Sequence, residues 1–147
     1  MSSEKNPPSR DGTRTMMNKL AQSDTPILPH RMDTLAQVPI LLNQHMGAAG
    51  LSTDALAELA GMNRSSLYRV LSGARRLTPG ALVTLAFPLR LTVEQTQELL
   101  KAARRAALSP RDPRESVILH ALMHGHSLGD THDRLVEMGF KGLYSNE

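Results

Sequence analysis

The 147-residue chain has no cysteine. That excludes a disulfide framework and a thiolate metal site, and it is compatible with a reducing compartment. Long apolar runs are missing as well. Stretches such as ALVTLAF fall far short of the roughly 20 residues that span a bilayer. The opening residues, MSSEKNPPSRDGTR, hold no apolar run of the kind a secretory signal needs. A soluble, cytoplasmic protein with no membrane partner is expected. Strand signals are weak, because β-branched residues are few and no hairpin dipeptide separates alternating runs. No repeat with a period of roughly 20–50 residues is evident.

Catalytic signatures are equally scarce. There is no nucleophile elbow, no phosphate-cradling glycine loop and no paired-carboxylate pocket. Asp130 and Asp133 are better explained as first-turn helix acids. An enzyme is not expected, and no cofactor is implied. His120 and His124 stand four residues apart on an expected helix, with His126 and His132 nearby. That spacing can bind zinc. No HExxH arrangement and no cysteine completes a ligand set, so no metal is expected.

What the chain does have is an uneven charge. Residues 64–114 carry ten Arg or Lys against Glu94, Glu98 and Asp112, a balance of +7. Residues 1–63 balance to −1 and residues 115–147 to −3, for a total of +3. A basic middle is the expected footprint of a nucleic-acid surface. The alternative is that the basic block lies against the acidic C-terminal part.

Residues 1–32 read as a flexible tail, interrupted by Pro7, Pro8, Pro26 and Pro29, with at most a short helix around Thr15–Gln22. From Asp33 the pattern is helical. Pro39 suits the first turn of a helix that Gly47 or Gly50 stops. Ser52 or Thr53 caps a second helix, and Gly61 suits its left-handed end. Asn63 caps a third, RSSLYRVLSG, stopped by Gly73. Thr78 and Pro79 start a fourth, which Pro88 ends. Thr92 and Gln95 have capping-box spacing for a fifth, VEQTQELLKAARRAA. Asp112 and Ser127 open the sixth and seventh. The expected fold is all-α, with a domain at 33–108 and a helical extension at 109–147. Such short helices cannot stand alone and must share a core. Its expected members are Leu41, Leu42, Leu56, Leu59, Leu67, Val70, Leu71, Leu82, Leu85, Leu99 and Leu100. Val117, Ile118, Leu122, Leu135 and Met138 add to it from the last two helices.

Between Ala60 and Asn63 the chain has only a few residues in which to turn. Gly61 supplies a permissive backbone, and Met62 can plug inward beneath the turn. Two helices joined so tightly cross steeply, which is the helix-turn-helix unit. In such a unit the first helix packs and positions, and the second enters a DNA major groove. Ala57 is small where the helices approach. Leu67, Val70 and Leu71 face the core, leaving Arg64, Ser65, Tyr68 and Arg69 on the outer faces.

The segment LSTDALAELAGMNRSSLYRVLSGARRLTPGALVTLA resembles the helix-turn-helix of lambda repressor-like, or Xre-type, regulators. Ala57, Gly61, Met62, the RSSLYRVLSG helix and the loop ending ARRLTPGAL carry the resemblance, over roughly residues 39–100. It implies a five-helix DNA-binding bundle, here with two additional C-terminal helices. It also implies roles. Thr53 would contact phosphate or support the first recognition residue, at a position where relatives often carry Gln. Arg64, Ser65 and Ser66 would face base edges or phosphates, with Tyr68 and Arg69 one turn on. Ser72, Arg75 and Arg76 would touch the DNA backbone. The arginine fork can hold guanine or two phosphate oxygens.

The resemblance thus implies a sequence-specific regulator that pairs as a homodimer on double-stranded DNA. The competing reading is a protein-binding regulator on the same fold, an antiactivator or antitoxin that masks a partner. The last two helices would mediate pairing or hold that partner, because Leu119 and Met123 lie off the Val117–Ile118–Leu122 stripe and Phe140 and Leu143 add further apolar surface.

Overall fold

The computed structural model describes residues 30–144, with side chains from Leu35 onward. Residues 1–29 of the expected tail, with the short helix expected around Thr15–Gln22, lie outside the described residues, while residues 30–32 open the first helix and are not tail. Among the described residues there are seven α-helices and no strand: α1 (His30–Ala49), α2 (Thr53–Ala60), α3 (Arg64–Leu71), α4 (Pro79–Ala86), α5 (Val93–Ala102), α6 (Pro113–Met123) and α7 (Leu128–Glu137). None is long and apolar enough to cross a membrane.

Local chemistry sets most of the boundaries. Ser52, not Thr53, caps α2, and its hydroxyl accepts from the Ala55 N–H at 3.1 Å. Asn63, Thr78, Asp112 and Ser127 do the same for α3, α4, α6 and α7. Thr92 and Gln95 form the reciprocal capping box of α5. Gly61 ends α2 at φ 68°; its N–H donates to the Glu58 carbonyl at 3.2 Å and the Met62 N–H to the Ala57 carbonyl at 2.8 Å. That pair of bonds is a Schellman turn, which satisfies the last carbonyls of α2 and aims the chain into α3.

Two boundaries differ from expectation. Helix α1 begins at His30, so Pro39 is inside it and not in its first turn. Proline has no N–H to give the carbonyl four residues back. One turn on, the Asn43 side-chain amide donates to the Pro39 carbonyl at 2.9 Å. Helix α5 stops at Ala102, short of the expected AARRAA continuation. Arg104 takes the left-handed conformation at φ 60°, and the Arg105 N–H returns to the Leu100 carbonyl. Arg90 does the same after α4, at φ 57°. An arginine there closes a Schellman turn without the glycine that usually permits one.

One continuous core runs from Val38 to Leu143 and includes Leu42, Leu56, Leu67, Leu82, Leu85, Leu99, Ile118 and Leu135. Leu41, Leu71 and Val117 are only partly buried against it. Leu59 and Met138, expected inside, are instead more than half exposed. The segment after α7 returns as a strap. Leu143 is buried, and its N–H donates to His132 Nδ1 at 3.0 Å. The Leu143 carbonyl accepts from the buried Thr84 hydroxyl at 3.0 Å. Arg114 donates to the carbonyls of Lys141 and Gly142 at 2.8 and 3.0 Å. The Tyr144 ring lies against Gly61, where a Cβ would meet it at 3.0 Å. The strap therefore packs onto the turn between α2 and α3.

Candidate nucleic-acid interface

The α2–α3 unit divides its residues as a reading helix requires. Leu67 and Val70 are buried. Arg64, Ser65, Tyr68 and Arg69 are exposed along the opposite side of α3, and Ser66 is half-buried. Four of the nine expected contact residues thus share one exposed face. Thr53 is half-buried at the first position of α2, and Ser72 is exposed at the end of α3.

The polar partners refine this picture. Asp54, in the first turn of α2, holds two of the α3 side chains. Arg64 Nη1 lies 3.4 Å from its Oδ2, and the Tyr68 hydroxyl donates to its Oδ1 at 3.1 Å. The hydrogen bond to Asp54, and then the Asp54 charge, raise the Tyr68 pKa above the ordinary phenol value. Asp54 was not among the expected site residues. By sequence it is an ordinary first-turn helix acid. Its bonds span ten and fourteen residues, and only the turn at Gly61 between α2 and α3 brings them together.

The arginines fall into three groups. Arg75 donates to Ser66 Oγ at 2.7 Å, tying the loop after α3 to the start of that helix. Arg76 donates to the Ala103 carbonyl at 3.3 Å, while Arg105 donates to the Leu77 carbonyl at 3.1 Å. These two lace the α3–α4 loop to the end of α5. Arg69, in contrast, has no side-chain partner among the described residues. Part of the basic block is thus scaffold, occupied with carbonyl oxygens, and part is free cation on the face of α3.

The histidines form a separate cluster at the end of α6. The ring centroids of His120, His124 and His126 are 4.3, 5.6 and 6.0 Å apart. Among the described residues no group of three or more side chains is arranged to hold a metal ion. Desolvation, then the charges of His124, His126 and Arg134, lower the His120 pKa below the usual imidazole value.

A short positioning helix, a tight glycine turn and a second helix with a polar outer face define a helix-turn-helix domain. Residues 40–99 match the family model for a helix-turn-helix domain, from within α1 to within α5. The match covers less than half of the chain, and α6, α7 and the strap lie beyond it. No curated protein and no solved structure matches the chain.

Proposed function

We propose that the chain is a sequence-specific transcriptional regulator of the lambda repressor-like type, which inserts α3 into the major groove of double-stranded DNA. The observation that carries this reading is the exposed row Arg64, Ser65, Tyr68 and Arg69 on the second helix of a domain matched as helix-turn-helix. Arg64 and Ser65 stand in its first turn, the part of a recognition helix that meets base edges. Arg69 supplies an unpartnered cation for phosphate. The protein binds without catalysing, and it acts as a homodimer on two half-sites about 34 Å apart.

Selection of bound sequences from random double-stranded DNA tests this reading. A defined motif supports it, and Arg64→Ala should then relax preference at one position and cost about 1–3 kcal/mol. A flat result favours the protein-masking reading, for which the Asp54 carboxylate is the supporting observation. An acid beside the reading helix repels phosphate and suits a protein surface.

A further inference from the structure

Beside the turn between α2 and α3, a groove of about 640 Å³ runs between the end of α4 and the α6–α7 turn. Its apolar lining includes Leu59, Leu91 and Met123. Leu59 is 53% and Met123 68% exposed, an apolar surface that the described residues leave uncovered. Arg90 and His126 also line the groove, and among the described residues no carboxylate does. Arg90 stands there on a left-handed backbone. Ser127, Leu128 and Gly129 of the first turn of α7 form part of the wall.

The other end of α7 has the opposite chemistry. Asp133, Arg134, Val136, Glu137 and Met138 are exposed there, giving a surface of two acids, one base and two apolar side chains, with Val136 at 53% and Met138 at 55% exposure. Asp130, in the first turn of α7, is also exposed but does not line the groove.

We propose that this groove is filled by the last turn of α7 from a second copy of the chain. A two-fold pairing of this kind runs the two α7 helices antiparallel, so each groove receives the other's acidic, apolar end. Helix α7 has ten residues, about 15 Å of length, which puts its two ends within one such contact. Glu137 of one copy faces Arg90 of the other, and Val136 and Met138 cover Leu59 and Met123. The antiparallel arrangement also sets the negative end of each α7 against the positive end of its mate. The occupant is argued from charge complementarity, since the same chain carries both the cationic groove and an apolar helix end on which Asp133 and Glu137 outnumber Arg134.

This inference rests on the homodimer of the functional reading but is tested without DNA. Sedimentation equilibrium of the full chain at tens of micromolar should show a dimer. Arg90→Glu and Glu137→Arg should each weaken association at least about tenfold, and the two together should restore it. Met123→Gln, at a surface position free of backbone strain, should also weaken association and serves if Arg90→Glu does not fold by circular dichroism. A monomeric wild type, a dimer indifferent to these changes, or charge reversals that fail to rescue each other would overturn the interface. A monomer that still selects a DNA motif would leave the regulator reading standing. A charge-swappable dimer that selects no motif would leave only the interface.

Discussion

The outer face of α3 and the C-terminal strap use similar side chains to opposite ends. On α3, Arg64 and Tyr68 meet Asp54 in the open, with the Arg64 and Asp54 side chains 69% and 51% exposed. Exposed pairs of this kind contribute only about 0–1 kcal/mol. In the strap, Thr84 is buried, and it and half-buried Arg114 and His132 hold backbone groups around a buried leucine. Breaking such bonds leaves desolvated groups unsatisfied, at about 1–3 kcal/mol each. The first arrangement lets its partners be exchanged for a ligand. The second is built to remain closed.

The strongest way to break that comparison is Leu143→Ala. Leu143 is 1% exposed, so truncation removes core and leaves a cavity, at about 2–5 kcal/mol. Thermal unfolding should show one large downward shift of the whole domain, because the strap packs on the α2–α3 turn. An unchanged melting temperature would make the strap a dispensable tail. The exposed Tyr68→Ala should shift it far less.

Arg76 and Arg69 sharpen the comparison inside the basic block. Arg76 is engaged with the Ala103 carbonyl, so Arg76→Ala should lower stability by about 1 kcal/mol. Arg69→Ala should leave stability unchanged and flatten the salt dependence of DNA binding by about one phosphate contact. Melting curves and binding titrations across salt concentrations check both. If Arg76→Ala leaves melting unchanged and flattens the salt slope like Arg69→Ala, Arg76 belongs with the DNA contacts and not with the scaffold.

How far these roles were legible in the sequence depends on the distance over which each is written. Ser52, Asn63, Thr78, Thr92, Asp112 and Ser127 act on N–H groups three residues away, so the helix starts they cap could be read from the chain. The inward Leu67 and Val70 and the outward Arg64, Ser65 and Arg69 followed from helical spacing. The end of α5 did not, because Arg104 adopts a backbone usually left to glycine. Leu59 and Met138 fit an apolar pattern but face the surface. Asp54, the Arg76–Arg105 lacing and the strap join residues far apart in sequence, and only the fold introduces them.

A smaller effect is expected from pH. The fold lowers the His120 pKa, mainly by desolvation. As pH falls from about 6.5, the usual imidazole value, the unfolded chain takes up the proton first. Stability contributed by the neutral ring is therefore present above that value and is lost as pH falls toward the folded one. Unfolding titrations of the wild type and His120→Gln should converge at neutral pH and separate below it, with the variant less acid-sensitive. Parallel curves would mean that the ring is not desolvated enough to matter.

A change in stability as small as that of Arg69→Ala is expected from Asp54→Asn, which bears most directly on the contrast between the two regions. Asn keeps the size of the side chain and can still bond Tyr68, but it cannot neutralise Arg64. If the pair were structural, its loss would show in melting, yet exposed ion pairs seldom contribute measurably. The consequence should appear on DNA instead. The wild-type carboxylate holds Arg64 while no ligand is present and repels any phosphate that approaches without offering a compensating contact. A correct base can compete for Arg64; a generic phosphate gains less and still meets the acid. Removing the charge should therefore tighten binding to random DNA several-fold and steepen its salt slope, while tightening the selected motif less. The ratio of the two affinities, measured at one fixed salt concentration, should fall. Equal gains on both would reduce Asp54 to a general electrostatic term. A loss on the selected motif alone would make the Asp54–Arg64 contact part of the bound geometry, with Asp54 orienting the arginine and not restraining it.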